Sequence, residues 1–280
     1  MRLLGAAQIR ELAAALDLKP SKSLGQNFVI DSNICTKIVR TAAVGPTDIA
    51  LEIGPGLGSL TLALLESAAS VVAVEIDPRL AGQLPLTVAN HFEHPENLTV
   101  LNQDALTIQS LPVDPTVLVA NLPYNVSVPV LLHLLEKFES LRTGVVMVQA
   151  EVADRLAAKP GTKDYGIPSV KAAWWAEVKG AGSVSRSVFW PAPNVDSKLV
   201  SFTRRQTPGD EVLRRKVFTI IDAAFAQRRK MLRSALSGLY GSSSAAEEIL
   251  KRAKIDPTLR GEALEISSFC AIAAVAPDIF

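Results

Sequence analysis

The chain has 280 residues, of which 48% are hydrophobic, and its 29 basic and 28 acidic side chains nearly cancel. This composition is ordinary for a globular protein, and the length predicts one large and one smaller domain. The apolar runs, such as residues 271–276, fall far short of the roughly 18 residues needed to cross a bilayer, so no membrane contact is predicted. The two cysteines and three histidines show no metal-ligand spacing, which argues against a metal site.

The N-terminal segment reads MRLLGAAQIRELAAALDL. Its polar residues Gln8, Arg10 and Glu11 interrupt it before the apolar core of a signal peptide could form. We interpret the segment as an amphipathic helix of a cytoplasmic protein, and as the beginning of a helical extension over about residues 1–45.

Between residues 48 and 150, short apolar runs alternate with helix-like segments. The runs predicted to be strands buried on both faces are DIALEI (48–53), SVVAVEI (70–76), LTVLNQD (98–104), TVLVAN (116–121) and GVVMVQ (144–149). The predicted covering helices are 59–67, 78–89 and 129–138. This alternation indicates an α/β fold with a doubly wound parallel sheet, which binds ligands beyond the carboxyl ends of its strands.

A Pro-rich segment, WPAPNVD (190–196), interrupts the alternation, and strand-like SKLVSFTRR follows it. After the turn-like QTPGD (206–210), a helix is predicted over 211–236, and shorter helices complete the chain. We therefore predict an α/β domain over residues 1–206 and a small helical domain over residues 207–280.

The first predicted strand ends in a glycine-rich turn, Gly54-Pro55-Gly56-Leu57-Gly58, and a helix follows directly. Glycine lets a backbone turn tightly and approach a ligand closely, although it also ends strands for purely structural reasons. The spacing is GxGxG, whereas GxGxxG is the spacing that seats a pyrophosphate. The turn therefore favours a nucleoside ligand without a diphosphate.

Two further strand ends carry carboxylates. Glu75 ends the next strand, where it can accept hydrogen bonds from both hydroxyls of a ribose, and nearby Asp77 is the competing candidate. The third strand ends in Asn102-Gln103-Asp104, which places Asp104 where it can accept a hydrogen bond from an adenine amino group. Three successive strand ends would thus contact three parts of one adenosine-containing cofactor.

The fourth strand ends in Asn121-Leu122-Pro123-Tyr124, the most specific signal in the chain. The exocyclic amine of a base is a poor nucleophile because its lone pair is delocalised. Acceptors placed on its two N–H groups favour the tetrahedral geometry from which it attacks a methyl group. The Asn121 side-chain oxygen and the Leu122 carbonyl are the candidate acceptors, and Pro123 fixes the turn. A plain turn is the structural alternative.

Two aromatic residues are candidates to hold the target base. Tyr124 would stack on a base that has left its helix or loop, and such stacking is worth roughly 1–3 kcal/mol per base. Phe189, in the segment SVFWP (187–191), would close the other face of the base. An ordinary core aromatic is an equally good interpretation of Phe189.

Taken together, these segments resemble the ribosomal RNA adenine dimethyltransferase family, and most closely its bacterial small-subunit (16S) branch. The resemblance spans nearly the whole chain and is carried by KSLGQNF (22–28), EIGPGLG (52–58), NLPYN (121–125), VFWPAPNVDS (188–197) and AFAQRRK (224–230). It implies a Rossmann-like catalytic domain that uses S-adenosylmethionine, with a small helical C-terminal domain. The implied reaction transfers two methyl groups to each of two adjacent adenines in a loop near the 3′ end of 16S rRNA, in a 30S precursor during ribosome assembly.

The resemblance also implies which residues bind the cofactor. By matching position these are Asn27, Val29, Gly54, Glu75, Asp104 and Asn121, and Gly56 joins them as part of the glycine turn. Val29 and Ile30 stand where the family more often has Leu. Trp190 stands where a polar or basic residue is common, which leaves its contact with RNA open.

The nearly neutral total hides a basic band, residues 198–233, with ten basic and three acidic side chains and therefore an excess of +7. Cations on or near its predicted helix are Arg214, Arg215, Lys216, Arg228, Arg229, Lys230 and Arg233. Such cations follow phosphates without reading sequence, which agrees with the RNA-binding role that the resemblance implies. A solvated helix face is the structural alternative. We expect a monomer.

Three other functions share parts of this pattern. A large-subunit rRNA adenine methylase of the antibiotic-resistance type has similar motifs, but typically has Ile between the Asn and Pro of the fourth strand end. A non-catalytic RNA-binding assembly factor has no need of residues 121–124 or of Glu75. An NAD-dependent oxidoreductase has a different glycine spacing.

Overall fold

The structure is a computed structural model that describes residues 3–18 and 26–277. Residues 22–25 of the KSLGQNF segment therefore lie outside the described residues. The strands are β1 (Phe28–Val29), β2 (Ile49–Ile53), β3 (Ser70–Glu75), β4 (Leu98–Asn102), β5 (Val117–Asn121), β6 (Thr143–Gln149), β7 (Ala176–Val184), β8 (Phe189–Trp190) and β9 (Ser197–Arg204).

Helices connect most of the strands and make up most of the C-terminal part of the chain. They are α1 (Ala6–Ala15), α2 (Ser32–Thr41), α3 (Ser59–Leu65), α4 (Pro78–His91), α5 (Ser127–Lys137), α6 (Ala150–Ala157), α7 (Ile167–Ala172), α8 (Glu211–Ala226), α9 (Leu232–Ala235), α10 (Ser237–Tyr240), α11 (Ser243–Arg252) and α12 (Ile266–Val275). Within residues 3–18 and 26–277, none of the helices combines the length and the apolar character that a membrane crossing requires.

The main sheet has the strand order β4-β3-β2-β5-β6-β9-β7, and β1 pairs with β8 in a separate two-stranded sheet. Neighbouring strands from β4 to β6 run parallel, whereas β9 runs antiparallel to β6. The chain adds β3 and β4 on one side of β2 and then places β5 on its other side. The strand order thus reverses at β2, and a crevice that suits a ligand opens beyond the carboxyl ends of strands at such a point.

The predicted α/β class and the five predicted strands are confirmed. Strands β2, β3, β5 and β6 are almost wholly buried, because their apolar runs are covered on both faces. The predicted covering helices correspond to α3, α4 and α5, with boundaries that agree within two residues. The sheet is of the Rossmann-like type.

Strands β1, β7 and β8 were not predicted. The sequence of β7, AEVKGAGSV, contains two glycines and few β-branched residues, and it pairs with β9 at the edge of the sheet. Strands β1 and β8 have two residues each, too few for an alternating pattern.

The chain forms two compact units. The first contains residues 1–153 and 179–204, and the second contains residues 154–178 and 205–280. The predicted boundary after residue 206 lies close to residue 205, where the chain enters the second unit for the second time. The prediction placed residues 154–178 in the first domain, however, and the structure places them in the second unit. Inside the second unit, Trp174 and Trp175 pack edge-on against Phe218 of α8 with ring centroids 6.1 and 5.5 Å apart, and Tyr165 donates a 2.8 Å hydrogen bond to the Leu264 carbonyl. These long-range contacts are the physical reason for the different division.

The single helix predicted over 211–236 is wrong. Helix α8 ends at Ala226, and residues 227–231 form a turn before α9. The backbone N–H groups of Leu232 and Arg233 donate to the carbonyls of Leu259 and Pro257, at 2.7 and 3.2 Å, and not to carbonyls of α8. Because no Gly or Pro marks this break, the local sequence contains no signal for it.

Candidate active site

The glycine turn lies at the carboxyl end of β2 and needs its glycines. Gly54, Gly56 and Gly58 have φ values of +67°, +57° and +98°, a region that side chains with a Cβ rarely adopt. A Cβ on Gly56 would lie 2.9 Å from the ring of Phe28. The turn therefore presents bare backbone to the space above the sheet.

One cavity in the first unit gathers all the residues predicted to bind the cofactor. Its wall includes Asn27, Val29, Gly54, Gly56, Glu75, Asp104 and Asn121. They come from β1 and from the carboxyl ends of β2, β3, β4 and β5, so the strand order that reverses at β2 brings them together. The predicted catalytic Pro123 lines the same cavity.

Glu75, at the tip of β3, is 5% exposed and oriented by the backbone. One carboxylate oxygen accepts from the Gly56 N–H at 3.1 Å, and the other accepts from the Asp77 N–H at 3.0 Å. Burial raises the pKa of Glu75 above its ordinary value. Since a carboxylate offers about four acceptor sites, these two bonds leave capacity for ligand hydroxyls.

Asp77, the competing candidate for the ribose, is engaged elsewhere. Its side chain caps α4 by accepting from the Arg79 N–H at 3.0 Å, and it forms a 2.8 Å ion pair with the Arg79 guanidinium. The hydrogen bond from the Arg79 side chain holds the pKa of Asp77 below its ordinary value. Asp77 does not line the cavity, so the geometry favours Glu75.

The adenine end of the predicted site combines a carboxylate with apolar walls. Asp104 follows β4, and its Oδ1 accepts from the Leu106 N–H at 2.9 Å, which fixes the turn. Ile76, directly after Glu75, lines the cavity and is 49% exposed although it is apolar. Ile76 is not among the predicted site residues; an apolar residue beyond the polar tip of a strand is the sequence signal for it.

Asn121, at the tip of β5, has a fixed orientation. Its Nδ2 donates to the Asn27 carbonyl at 3.1 Å, so Oδ1 points away from that carbonyl. Among the described residues Oδ1 is buried without a hydrogen-bond partner. A buried acceptor without a partner is costly, and an N–H group of a ligand would remove that cost. A Cβ on Gly54 would lie 3.8 Å from the Asn121 carbonyl oxygen, so the glycine turn and the tip of β5 are neighbours.

The residues after Asn121 form the predicted turn. Leu122 is 1% exposed, and its N–H donates to the Met147 carbonyl of β6 at 3.1 Å. The ring of Tyr124 is half-buried, and its hydroxyl lies 2.6 Å from the Ser197 hydroxyl. Burial raises the pKa of the Tyr124 phenol above its ordinary value.

Phe189 lies apart from the cavity wall. It is 3% exposed, belongs to the apolar core and pairs with Val29 across the β1–β8 ladder. These surroundings match the alternative interpretation of Phe189 as a core aromatic. The neighbouring Trp190 stacks on Phe28, with ring centroids 6.3 Å apart, and so supports the wall behind Gly56.

Glu52 is a buried acid that is not among the predicted site residues. It is 1% exposed, lines the cavity below the glycine turn, and its Oε2 has no hydrogen-bond partner among the described residues. Burial raises its pKa to about 8. An acidic residue inside an apolar strand run was the signal that could have found it.

The cations predicted on or near helix α8 differ in the exposure of their side chains and in their ion pairs. The Arg214 side chain is 12% exposed, pairs with Glu211 at 2.7 Å and lies over the rings of Trp175 and Phe218. Arg215 also pairs with Glu211, at 2.8 Å, but its side chain is 69% exposed. The structure therefore gives Arg214 a packing role.

The remaining cations lie in the turn after α8 and in α9. Arg228 pairs with Glu262 at 2.8 Å and donates to the Lys163 carbonyl, and Arg233 pairs with Glu247 at 3.2 Å. Arg229 and Lys230 are exposed and, within the described ranges, have no ion-pair partner. They are the cations of the set that are most available to a polyanion.

Comparisons with known proteins point to one family. Residues 18–277 match the model of the family described as ribosomal RNA adenine dimethylase. The chain is 59% identical to the "Ribosomal RNA small subunit methyltransferase A" of Streptomyces avermitilis, over 97% of this chain and 93% of that protein. A crystal structure of a dimethyladenosine transferase from Plasmodium falciparum has the same fold, with a TM-score of 0.74 at 23% identity, covering 88% of this chain and 95% of that one. The 23S rRNA methyltransferase ErmE is similar at a TM-score of 0.66 and 26% identity, over 89% of this chain and 99% of its own.

Proposed function

The chain belongs to the ribosomal RNA adenine dimethylase family, and we propose that it dimethylates the N6 amino groups of two adjacent adenines in a loop near the 3′ end of small-subunit rRNA. Membership makes the chain an rRNA adenine dimethyltransferase whose cofactor is S-adenosylmethionine. The proposed substrate form is a 30S precursor, so that the reaction belongs to assembly of the small subunit in the cytoplasm, and the enzyme is proposed to act as a monomer.

The observation that carries the proposal is the single cavity shared by the glycine turn and the tip of β5. The residues present suit S-adenosylmethionine, because bare backbone at Gly56, the Glu75 carboxylate and the Asp104 carboxylate are partners for a nucleoside. When bound, the cofactor supplies an electrophilic methyl group. Asn121 lines this same cavity, so the acceptor site and the donor site adjoin.

Asn121 and Leu122 are proposed to hold the attacking amine. The buried Oδ1 of Asn121 accepts one N–H of the adenine amine, and the Leu122 carbonyl accepts the other. This arrangement favours tetrahedral nitrogen and fixes its direction of attack. No strong base is needed, because the amine proton becomes acidic once the methyl group has been transferred.

Tyr124 is proposed to stack on the flipped adenine. Its ring is half-buried beside the tip of β5, and a stacked base gains roughly 1–3 kcal/mol, comparable with the cost of extruding an unpaired base. Phe189 would have to leave the core to close the other face. We therefore assign it a supporting role behind Val29.

The second unit is proposed to bind RNA through its basic residues. Arg229 and Lys230 are the proposed direct phosphate contacts, with Arg215, Arg228 and Arg233 adding positive charge around them. Contacts of this kind do not read sequence. Specificity for one loop would come from the shape of the precursor and from unstacked bases.

The substrate is tested by offering the enzyme purified 30S precursors and naked large-subunit RNA in parallel, with labelled S-adenosylmethionine. We expect N6,N6-dimethyladenine at two adjacent positions of the small-subunit RNA, identified by mass spectrometry of RNA fragments. Methylation of the large-subunit RNA alone would instead assign the activity of the antibiotic-resistance enzymes. Absence of methylation in both would favour a non-catalytic assembly factor.

A further inference from the structure

The hydroxyl of Tyr124 contacts a residue that none of the preceding steps uses. The two hydroxyl oxygens of Tyr124 and Ser197 are 2.6 Å apart, and the residues are 73 positions apart in the chain. This distance is typical of a well-formed O–H···O hydrogen bond, in which one hydroxyl donates to the other. The segment PNVDS, which ends at Ser197, thereby meets the end of the catalytic turn.

Ser197 is held firmly by the sheet. It is the first residue of β9, is 0% exposed and stands opposite Gln149 in the ladder with β6. The preceding residue, Asp196, accepts a 2.9 Å hydrogen bond from the Ala150 N–H at its carbonyl and a 3.3 Å bond from the Arg186 N–H at its carboxylate. A side chain this deeply buried does not touch a substrate, so any effect on the reaction passes through Tyr124.

Tyr124, in contrast, lies in a short turn between β5 and α5. The turn is closed by a 3.2 Å hydrogen bond from the Val126 N–H to the Pro123 carbonyl. Its ring is only half-buried, so packing restrains it less than it restrains Ser197. A hydrogen bond at the far end of the ring ties this less restrained residue to the rigid sheet.

We propose that Ser197 is a positioning residue that fixes the ring of Tyr124 in the orientation that stacks on the target adenine. The proposal rests on the function proposed above, because it assigns stacking to Tyr124. A ring that is oriented before the base arrives loses less freedom on binding, and this gain appears in the reaction with RNA and not in cofactor binding.

The test is a double-mutant cycle with Ser197→Ala, Tyr124→Phe and both changes together. We expect each single variant to lower kcat/KM for 30S precursors about fivefold, the change that corresponds to loss of one neutral hydrogen bond. The double variant should be no worse than either single variant, because both changes remove the same bond. Ser201→Ala, on the same strand without this contact, is the matched control and should keep wild-type kinetics.

A second readout separates positioning from a general structural role. With 2-aminopurine at the target position of the RNA, wild type should quench the fluorescence by stacking, and Ser197→Ala should quench less while binding S-adenosylmethionine with unchanged affinity. If Ser197→Ala lowers the thermal midpoint, the cycle is repeated with Ser197→Cys, which keeps the size of the side chain but forms a weaker hydrogen bond.

Wild-type kcat/KM in the serine variant, or a loss that adds fully to that of Tyr124→Phe, would overturn the positioning role alone. Failure of the wild-type enzyme to methylate small-subunit RNA would overturn the proposed function and, with it, this inference. The two failures are therefore distinguishable in one set of assays.

Discussion

In the candidate active site Glu52 and Glu75 are 1% and 5% exposed, whereas the Arg215 side chain in the basic band is 69% exposed. The active-site carboxylates are buried, and Glu75 is oriented by backbone N–H groups. In the basic band Arg215, Arg228 and Arg233 pair with acids at the surface, where salt screens them, and Arg229 and Lys230 are exposed. Changes in the cavity should therefore have large effects that are insensitive to salt, while changes in the band should have small effects that depend on salt.

The largest effect is expected for Asn121→Ala. Loss of a preorganised acceptor at the reacting amine should lower kcat about 100- to 1,000-fold while RNA affinity stays nearly intact. Single-turnover methylation and a filter-binding assay measure the two quantities. Asn90→Ala, on the exposed face of α4, is the matched control. Unchanged methyl transfer by the Asn121 variant would contradict the proposed mechanism.

A second large effect concerns pH and Glu52. Its pKa is raised to about 8 in the folded protein from an ordinary 4.5, so folding binds a proton between these values. The stability that this group contributes is therefore full below about pH 4.5, falls as pH rises and levels off above about pH 8, with a total change of about 5 kcal/mol. Glu52→Gln should flatten this dependence and be more stable than wild type at pH 8. Urea denaturation at pH 5, 6.5 and 8 measures the free energy of unfolding of both proteins. If that free energy changed equally with pH in wild type and in Glu52→Gln, Glu52 would not be a buried neutral acid.

An intermediate effect is expected for Glu75→Ala in cofactor binding. Loss of a charged acceptor that also holds the Gly56 N–H should weaken binding of S-adenosylmethionine about 10- to 100-fold, or about 2 kcal/mol. Calorimetry measures the affinity. Asp77→Asn, outside the cavity wall, should bind the cofactor nearly as wild type does. If Asp77→Asn weakened cofactor binding more than Glu75→Ala does, Asp77 and not Glu75 would be the residue that binds the ribose.

The smallest effect is expected in the basic band. Arg229→Ala with Lys230→Ala should weaken RNA binding several-fold and reduce the slope of log K against log salt by about 2. Arg214→Ala should leave that slope unchanged and lower stability, because its guanidinium packs on Trp175 and Phe218. Equal salt slopes in wild type and the double variant would remove the turn after α8 from the RNA interface.

The sequence predicted the cavity better than it predicted the band, for a physical reason. A strand buried on both faces leaves a continuous apolar run, and the polar residue that ends the run marks the edge of the sheet, as Glu75 and Asn121 do. Parallel strands then bring these ends to one side. The glycine turn and the tip of β5 accordingly line one cavity.

Long-range packing explains what the sequence did not show. The turn after α8 has no Gly or Pro and forms because Leu232 and Arg233 pair with the loop at Leu259 and Pro257. Residues 154–178 join the second unit through Trp174 and Trp175, whose partner ring lies more than 40 residues away in the sequence. Likewise, nothing near Tyr124 in the sequence indicates Ser197.

The central claim is that a flipped adenine amine and the cofactor's methyl group meet in the cavity between the glycine turn and Asn121. A crystal structure of the protein with a conjugate that links the N6 atom of adenosine to an S-adenosylmethionine analogue tests it most directly. We predict the linked N6 nitrogen within about 3 Å of Asn121 Oδ1, with the cofactor ribose at Glu75. A conjugate with its adenosine bound away from the tip of β5 would contradict this claim.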